Sequence, residues 1–118
     1  MESAKCSFYL GPESRFAKFR MGGNPEGTAE IYDNRIEVFK KSTFLTLAFG
    51  AIGSALSGKG KPEAIVTRDM VIAYRETGKR TFFLYLQNGN MLYVNFIGIS
   101  VQNAGVAMMN FLKDKPIK

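Results

Sequence analysis

The stretch RTFFLYLQNGNMLYVNFIGISVQNAGVAMMNFLKDKP, residues 80–116, changes its hydrophobic period once. Phe82, Leu84 and Leu86 alternate on one face, Asn88-Gly89-Asn90 interrupts, and Leu92, Val94 and Phe96 resume the alternation. Period-two alternation marks a half-buried strand, and an Asn-Gly step between two such runs is the strongest short-range hairpin signal. Beyond Ser100 the spacing changes: Val101, Ala104, Gly105, Met108, Phe111 and Leu112 recur at helical intervals, with Ser100 placed to cap the start and Pro116 to forbid continuation. The stretch therefore predicts a hairpin followed by a helix over 101–113. Its apolar stripe must be covered by sheet residues such as Phe82 and Leu84.

Working upstream, the same strand rhythm recurs. Thr77-Gly78-Lys79 turns the chain out of a strand over 70–76, which is separated from another over 64–67 by Arg68-Asp69. Residues 28–32 and 35–39 flank Asp33-Asn34, a two-residue turn of the kind that tolerates positive φ, so they read as a hairpin with Ile36 and Val38 facing the core. Over 16–21, Ala17, Phe19 and Met21 alternate with Lys18 and Arg20, which predicts a first strand ended by Gly22-Gly23-Asn24-Pro25. Residues 1–14 read as an N-terminal arm or extra strand, because their one apolar run, 6–10, is broken by Gly11-Pro12. The expected architecture is mainly β: a seven-stranded, partly open barrel over 15–118, capped by one C-terminal helix.

Composition narrows the chemistry. At 118 residues and 46% hydrophobic, the chain fits one domain with its own core. It contains no histidine and one cysteine, which excludes His-containing zinc sites, thiolate cages, Ser-His-Asp triads and Cys-His dyads. Cys6 reads as a small buried hydrophobe. With no disulfide partner and no continuous apolar run of the secretory kind in the first thirty residues, a cytoplasmic setting is expected. Glu30, Asp33 and Glu37 lie close together on one exposed hairpin rather than across a cleft, and no phosphate-cradling glycine motif precedes a helix. The expectation is a protein without catalysis, metal or cofactor. A pI near 9.6 and Tyr74, Tyr85 and Tyr93 favour nucleic acid, but aromatics occur in any barrel and no RNP-like pattern is present, so nucleic acid is not the expected partner.

Charge is regional. Residues 40–80 hold Lys40, Lys41, Lys59, Lys61, Arg68, Arg75, Lys79 and Arg80 against Glu63, Asp69 and Glu76, which is +5 of the chain's +6. Such a field favours an anionic lipid, a nucleic acid or an acidic protein surface, and equally describes a solvated face. Within it, residues 42–58 carry no charge and are bracketed by Lys40-Lys41 and Lys59-Gly60-Lys61. A helix over 44–56 would be only ~20 Å long, short of the ~30 Å hydrocarbon core. Plotted as a helix, Leu45, Ala48, Phe49, Ile52 and Leu56 share one face. Three readings stand: a lid packed on the barrel, an exposed surface for self-association or a partner, and an interfacial membrane segment.

Seven meandering strands and one last helix, the Asp33-Asn34 and Asn88-Gly89 turns, and the apolar Gly- and Ala-rich stretch 44–58 followed by Lys59-Gly60-Lys61 resemble the pleckstrin-homology (PH) superfold. The resemblance covers residues 15–114 and is nearest to bacterial PH-like and GRAM-like domains. It implies a binding module. The family binds phosphoinositide headgroups through basic residues at the end of the first strand and on the second. Lys18 and Arg20 stand near that place, while the loop 22–27 carries Glu26 and the second strand Glu30.

The expected function is a non-catalytic binding or assembly module. It would act on a protein partner or a second copy through Leu45, Phe49, Ile52 and Leu56. The alternative is peripheral binding to anionic lipid at the inner membrane face, with Lys18, Arg20, Lys40, Lys41, Lys59 and Lys61 contacting the anion. If loops alternate between barrel ends, 22–27, 40–63 and 77–79 share one rim.

Overall fold

The computed structural model describes residues 1–19, 25–40 and 62–118, with 17–19 as backbone alone. Among them the sheet comprises β1 (Glu2–Pro12), β2 (Glu26–Ile31), β3 (Arg35–Lys40), β4 (Ala64–Thr67), β5 (Val71–Thr77), β6 (Thr81–Leu86) and β7 (Asn90–Phe96). Among the described residues two helices accompany it, α1 (Glu13–Phe19) and α2 (Val101–Phe111), and a 3-10 turn (Arg68–Met70) joins β4 to β5. The strands lie in the order β4-β3-β2-β1-β7-β6-β5, every neighbour antiparallel, and the sheet curls into a half-barrel that α2 plugs.

The β6–β7 hairpin forms as its sequence dictates. Gly89 takes φ 87° at the turn, its amide donates to Leu86 O at 3.1 Å, and Asn88 Oδ1 accepts from Asn90 N at 3.0 Å. Phe82, Leu84, Leu92, Val94 and Phe96 all point inward and are buried. Over them lies α2, whose Ala104, Met108 and Phe111 are buried in the same cluster, followed by Leu112 just beyond the helix. Val101, expected to be buried with them, is only partly covered. The Ser100 side chain makes no capping bond; its carbonyl accepts the ordinary helical bond from Ala104 N at 2.9 Å. Helix α2 ends well before Pro116, at a turn where Asp114 is left-handed (φ 71°) and Arg68 donates to the Lys113 carbonyl. A cation at that end complements the helix dipole.

The N-terminal quarter differs from the expectation. Residues 2–12, expected as an arm or extra strand, form the middle strand of the sheet, and 16–19, expected in the first strand, belong to α1; Arg20 and Met21 lie outside the described residues. The inward set of β1 is Ala4, Cys6 and Phe8, which alternates with Ser3, Lys5 and Ser7. Small residues made that alternation weak. Pro12 ends the strand, where its missing amide costs no ladder bond, and Glu13 opens α1 with an anion in its first turn.

Strand β1 also bends the sheet. Its first half pairs with β2, its second half with β7, and Cys6 faces both Gly27 and Phe96 at the changeover. Gly27 is required there: a Cβ on it would stand 1.9 Å from the Phe39 carbonyl oxygen and 3.1 Å from the Phe8 ring.

Two turns exchange the chemistry expected of them. The β2–β3 hairpin closes on Asp33-Asn34 through a Tyr32 N to Arg35 O bond of 2.8 Å, with neither turn residue at positive φ. The mirror-image geometry falls instead on Gly78 and Lys79, at φ 66° and 64°. Residues 116–118 then lie along β5 in parallel, with Tyr74 N donating to Pro116 O at 3.0 Å and Lys118 N to Tyr74 O at 2.8 Å.

Candidate functional site

Strand register decides which connections share a rim. Gly27 near the start of β2 faces Lys40 at the end of β3, so the chain enters and leaves both the 13–25 and the 41–63 connections at one edge. Pro12 at the end of β1 faces Asn90 at the start of β7, which places the Asn88-Gly89 turn beside that edge. The 77–79 turn does not join them. The Arg80 carbonyl accepts from Phe96 N at 2.9 Å, and Lys79 O is the atom nearest a Cβ built on Gly105, so this turn belongs to the end covered by α2. Strict alternation fails because β5 is not hydrogen-bonded to β4: the link through Arg68–Met70 crosses to the other half of the barrel and resets the parity.

At the rim, Lys40 is exposed at the last position of β3, and Lys18 lies in α1. The other proposed contacts, Arg20, Lys41, Lys59, Lys61, Leu45, Phe49, Ile52 and Leu56, lie outside the described residues. The regional positive field is divided among the residues that are described. Arg68 is spent on the Lys113 carbonyl, and Lys79 and Arg80 stand at the α2 end, away from Lys40.

Helix α1 sits on the outside of the barrel. Phe16 places its ring 4.7 Å from Tyr93, 5.5 Å from Tyr9 and 5.8 Å from Phe83, and the Phe83 and Tyr93 rings are 5.4 Å apart. Such tilted and edge-on pairs each contribute roughly 0.5–1.5 kcal/mol beyond burial. The outward-pointing Met91 and Tyr85 are buried on the same side of the sheet. Burial pushes the Tyr85 phenol upward, and the Lys118 ammonium stands 3.9 Å from its ring centroid.

The carboxylates of the β2–β3 hairpin correct another expectation. Glu30 is only 3% exposed, although it lies on the outer face. It faces Glu37 across the strand pair and accepts a 2.8 Å bond from the Tyr32 hydroxyl at Oε1. The Arg35 guanidinium packs 3.8 Å from the Tyr32 ring centroid and donates Nε–H to Glu37 Oε2 at 2.5 Å, which raises the Arg35 pKa. Four side chains on one short hairpin thus form a relay of rings and charges. The i, i+2 spacings of Glu30 with Tyr32 and of Arg35 with Glu37 are the sequence pattern behind it. Cys6, by contrast, is as expected: fully buried, with desolvation holding its thiol up at about 12.

Among the described residues no cluster of three or more acidic or thiol side chains is placed to hold a metal, and no helix is long and apolar enough to cross a membrane. No family model and no curated protein matches the chain. A solved structure described as the PH domain from TgAPH is similar over 95% of this chain and 85% of its own, with a TM-score of 0.50 and 10% sequence identity. The strand order, a middle strand shared between two halves, and the last helix seated in the open end agree with that likeness: the chain has a PH-like fold.

Proposed function

We propose that this protein is a non-catalytic binding module that acts through contact with a protein partner or with further copies of itself. The observation that carries the reading is the Gly27–Lys40 register, which roots both the 13–25 and the 41–63 connections at one rim. The second of these contains the charge-free residues 42–58, with Leu45, Phe49, Ile52 and Leu56 at helical spacing. An apolar segment that stands exposed at a barrel rim is a contact surface for a partner. Bacterial and GRAM-like character and a cytoplasmic location belong to this reading. Replacing Phe49 and Ile52 together by serine is expected to abolish partner capture or lower the solution mass while the thermal transition is kept. A doubly substituted chain with unchanged mass and unchanged partners would refute the reading.

The second reading is peripheral binding to anionic lipid, and the exposed Lys40 at the rim favours it. Lys41, Lys59, Lys61, Lys18 and Arg20 would add to the same positive surface. Binding to vesicles would then require anionic lipid, weaken with salt, and drop in the Lys59→Glu, Lys61→Glu double variant. Equal binding to neutral and anionic vesicles, or none to either, would reject it.

A further inference from the structure

Distant parts of the chain meet at one tyrosine. Tyr85 points outward from β6, facing Ala73 of β5 on one flank and Met91 of β7 on the other, and Met91 in turn faces Gly11 of β1. That row ends beside the β1–α1 junction, where Pro12 closes the strand and Glu13 opens the helix. On the opposite flank, residues 116–118 run along the free edge of β5, held by the two main-chain bonds to Tyr74. They carry the Lys118 ammonium to 3.9 Å from the Tyr85 ring centroid. The ring is only 9% exposed, although it points away from the core.

The hydroxyl of the same side chain answers to other groups. Burial raises its pKa most, the Glu13 carboxylate raises it further, and the Arg75 guanidinium lowers it. A phenol kept protonated is the form that donates to a carboxylate. Lys118 thus holds the ring face of Tyr85, and the first turn of α1 meets its hydroxyl.

We propose that residues 116–118 are a latch on α1: seated on the edge of β5, they fix Tyr85 and so set how often this helix lifts from the rings of Tyr9, Phe83 and Tyr93. A helix of seven residues does not stand by itself in water, so its population depends on what it touches on the sheet. The latch is itself lightly held. Ile117 is 74% exposed, and main-chain bonds at a sheet edge open locally without global unfolding. Two such segments in contact with one side chain are coupled, and the coupling is reciprocal. This inference goes beyond the binding reading and needs no partner.

The test is amide hydrogen exchange of the full chain, read residue by residue by NMR. Lys118→Gln keeps the stem and removes the charge; the α1 amides should then exchange roughly two- to fivefold faster, the weight of one exposed cation–π contact. Amides of β7 and α2 should keep their wild-type rates. Lys118→Pro also removes the N–H that bonds Tyr74 O, so its effect on α1 should be larger.

Tyr85→Phe keeps the ring under the ammonium and removes the hydroxyl. In that background Lys118→Gln should no longer change α1 exchange, because the link between them is cut. By reciprocity, Phe16→Ala should speed exchange of the Lys118 amide. Lys115→Gln, which removes a charge outside the segment on β5, should leave α1 unchanged. Unchanged α1 exchange in both Lys118 variants, equal acceleration in α1, β7 and α2, an equal effect of Lys115→Gln, or a full effect of Lys118→Gln in the Tyr85→Phe background would each overturn the proposal.

Discussion

Helices α1 and α2 cover opposite sides of one sheet, and they are held by different means. Helix α2 drives Ala104, Met108 and Phe111 into the interior, where each is at most 1% exposed and shares a cluster with Phe82, Leu84 and Phe96. Helix α1, seven residues long, lies on the outer side, where, among the described side chains, the half-buried Phe16 ring rests on Tyr9, Phe83 and Tyr93. A stripe of apolar residues makes a helix part of the fold. A short helix laid on the outer face through aromatic contacts is a cover that can lift without the fold being lost.

The hardest blow to that comparison falls on the inner helix. Met108→Asp places a carboxylate in the dry core and is expected to cost about 4 kcal/mol or more, a large part of the stability of a domain this size. Loss of the cooperative thermal transition checks it; a folded, cooperative variant would mean that α2 is as detachable as α1.

Phe16→Ala tests the outer helix. Its cost should be about 2 kcal/mol, below the 3–5 typical of a fully buried phenylalanine. Hydrogen exchange should show amides of α1 opening by themselves, with those of β7 and α2 still protected to the global limit. Parallel loss of protection in both helices would erase the distinction drawn between them.

The interior also shows itself in titration. The Cys6 thiol is held up at about 12 against an ordinary 9.0 by burial. Above pH 9 the unfolded chain releases this proton and the folded chain keeps it, so the thiol's contribution to stability is complete below pH 9 and is lost as pH rises toward 12. Wild type should therefore lose about 1.4 kcal/mol per pH unit in that window relative to Cys6→Ala, measured by urea unfolding at matched pH. Parallel pH profiles would place Cys6 in contact with water.

The smallest effect lies where α2 meets the β5–β6 turn. Lys79 holds φ 64° and presents its carbonyl to Gly105. Lys79→Gly removes the left-handed penalty and gives back part of it through the more flexible unfolded chain, for a net gain of about 0.5 kcal/mol in thermal unfolding. A loss would show that the lysine side chain steadies this junction.

These contrasts explain what the sequence could reveal. The C-terminal half was legible because its signals agree: alternation in β6 and β7, an Asn-Gly turn and a helical stripe all require the same packing. Around Phe16 they conflict. Ala17, Phe19 and Met21 alternate with Lys18 and Arg20 as a strand would, and only the register of β1 with β7, a contact from far along the chain, leaves the outer face on which Phe16 lands. Strand β1 hid behind small residues, since Ala4 and Cys6 are fitted to a crowded bend where Gly27 admits no side chain. At the candidate site, the charge-bracketed segment and Lys40 could be read from composition, but the membership of the rim could not. That depends on β5 not pairing with β4, and no local pattern encodes a missing pairing.

The position of β1 has a consequence for synthesis. One edge of this strand finds β2 within the first third of the chain, whereas its other edge waits until Val94 arrives opposite Phe8. During translation the β1–β4 meander therefore waits with an unsatisfied edge, and a row of free amides and carbonyls is the template on which chains join one another. Closure then depends on contacts of long sequence separation, which are slow to form. The central strand is thus the first to be made and the last to be completed, and the yield of folded protein turns on how long that edge stays open.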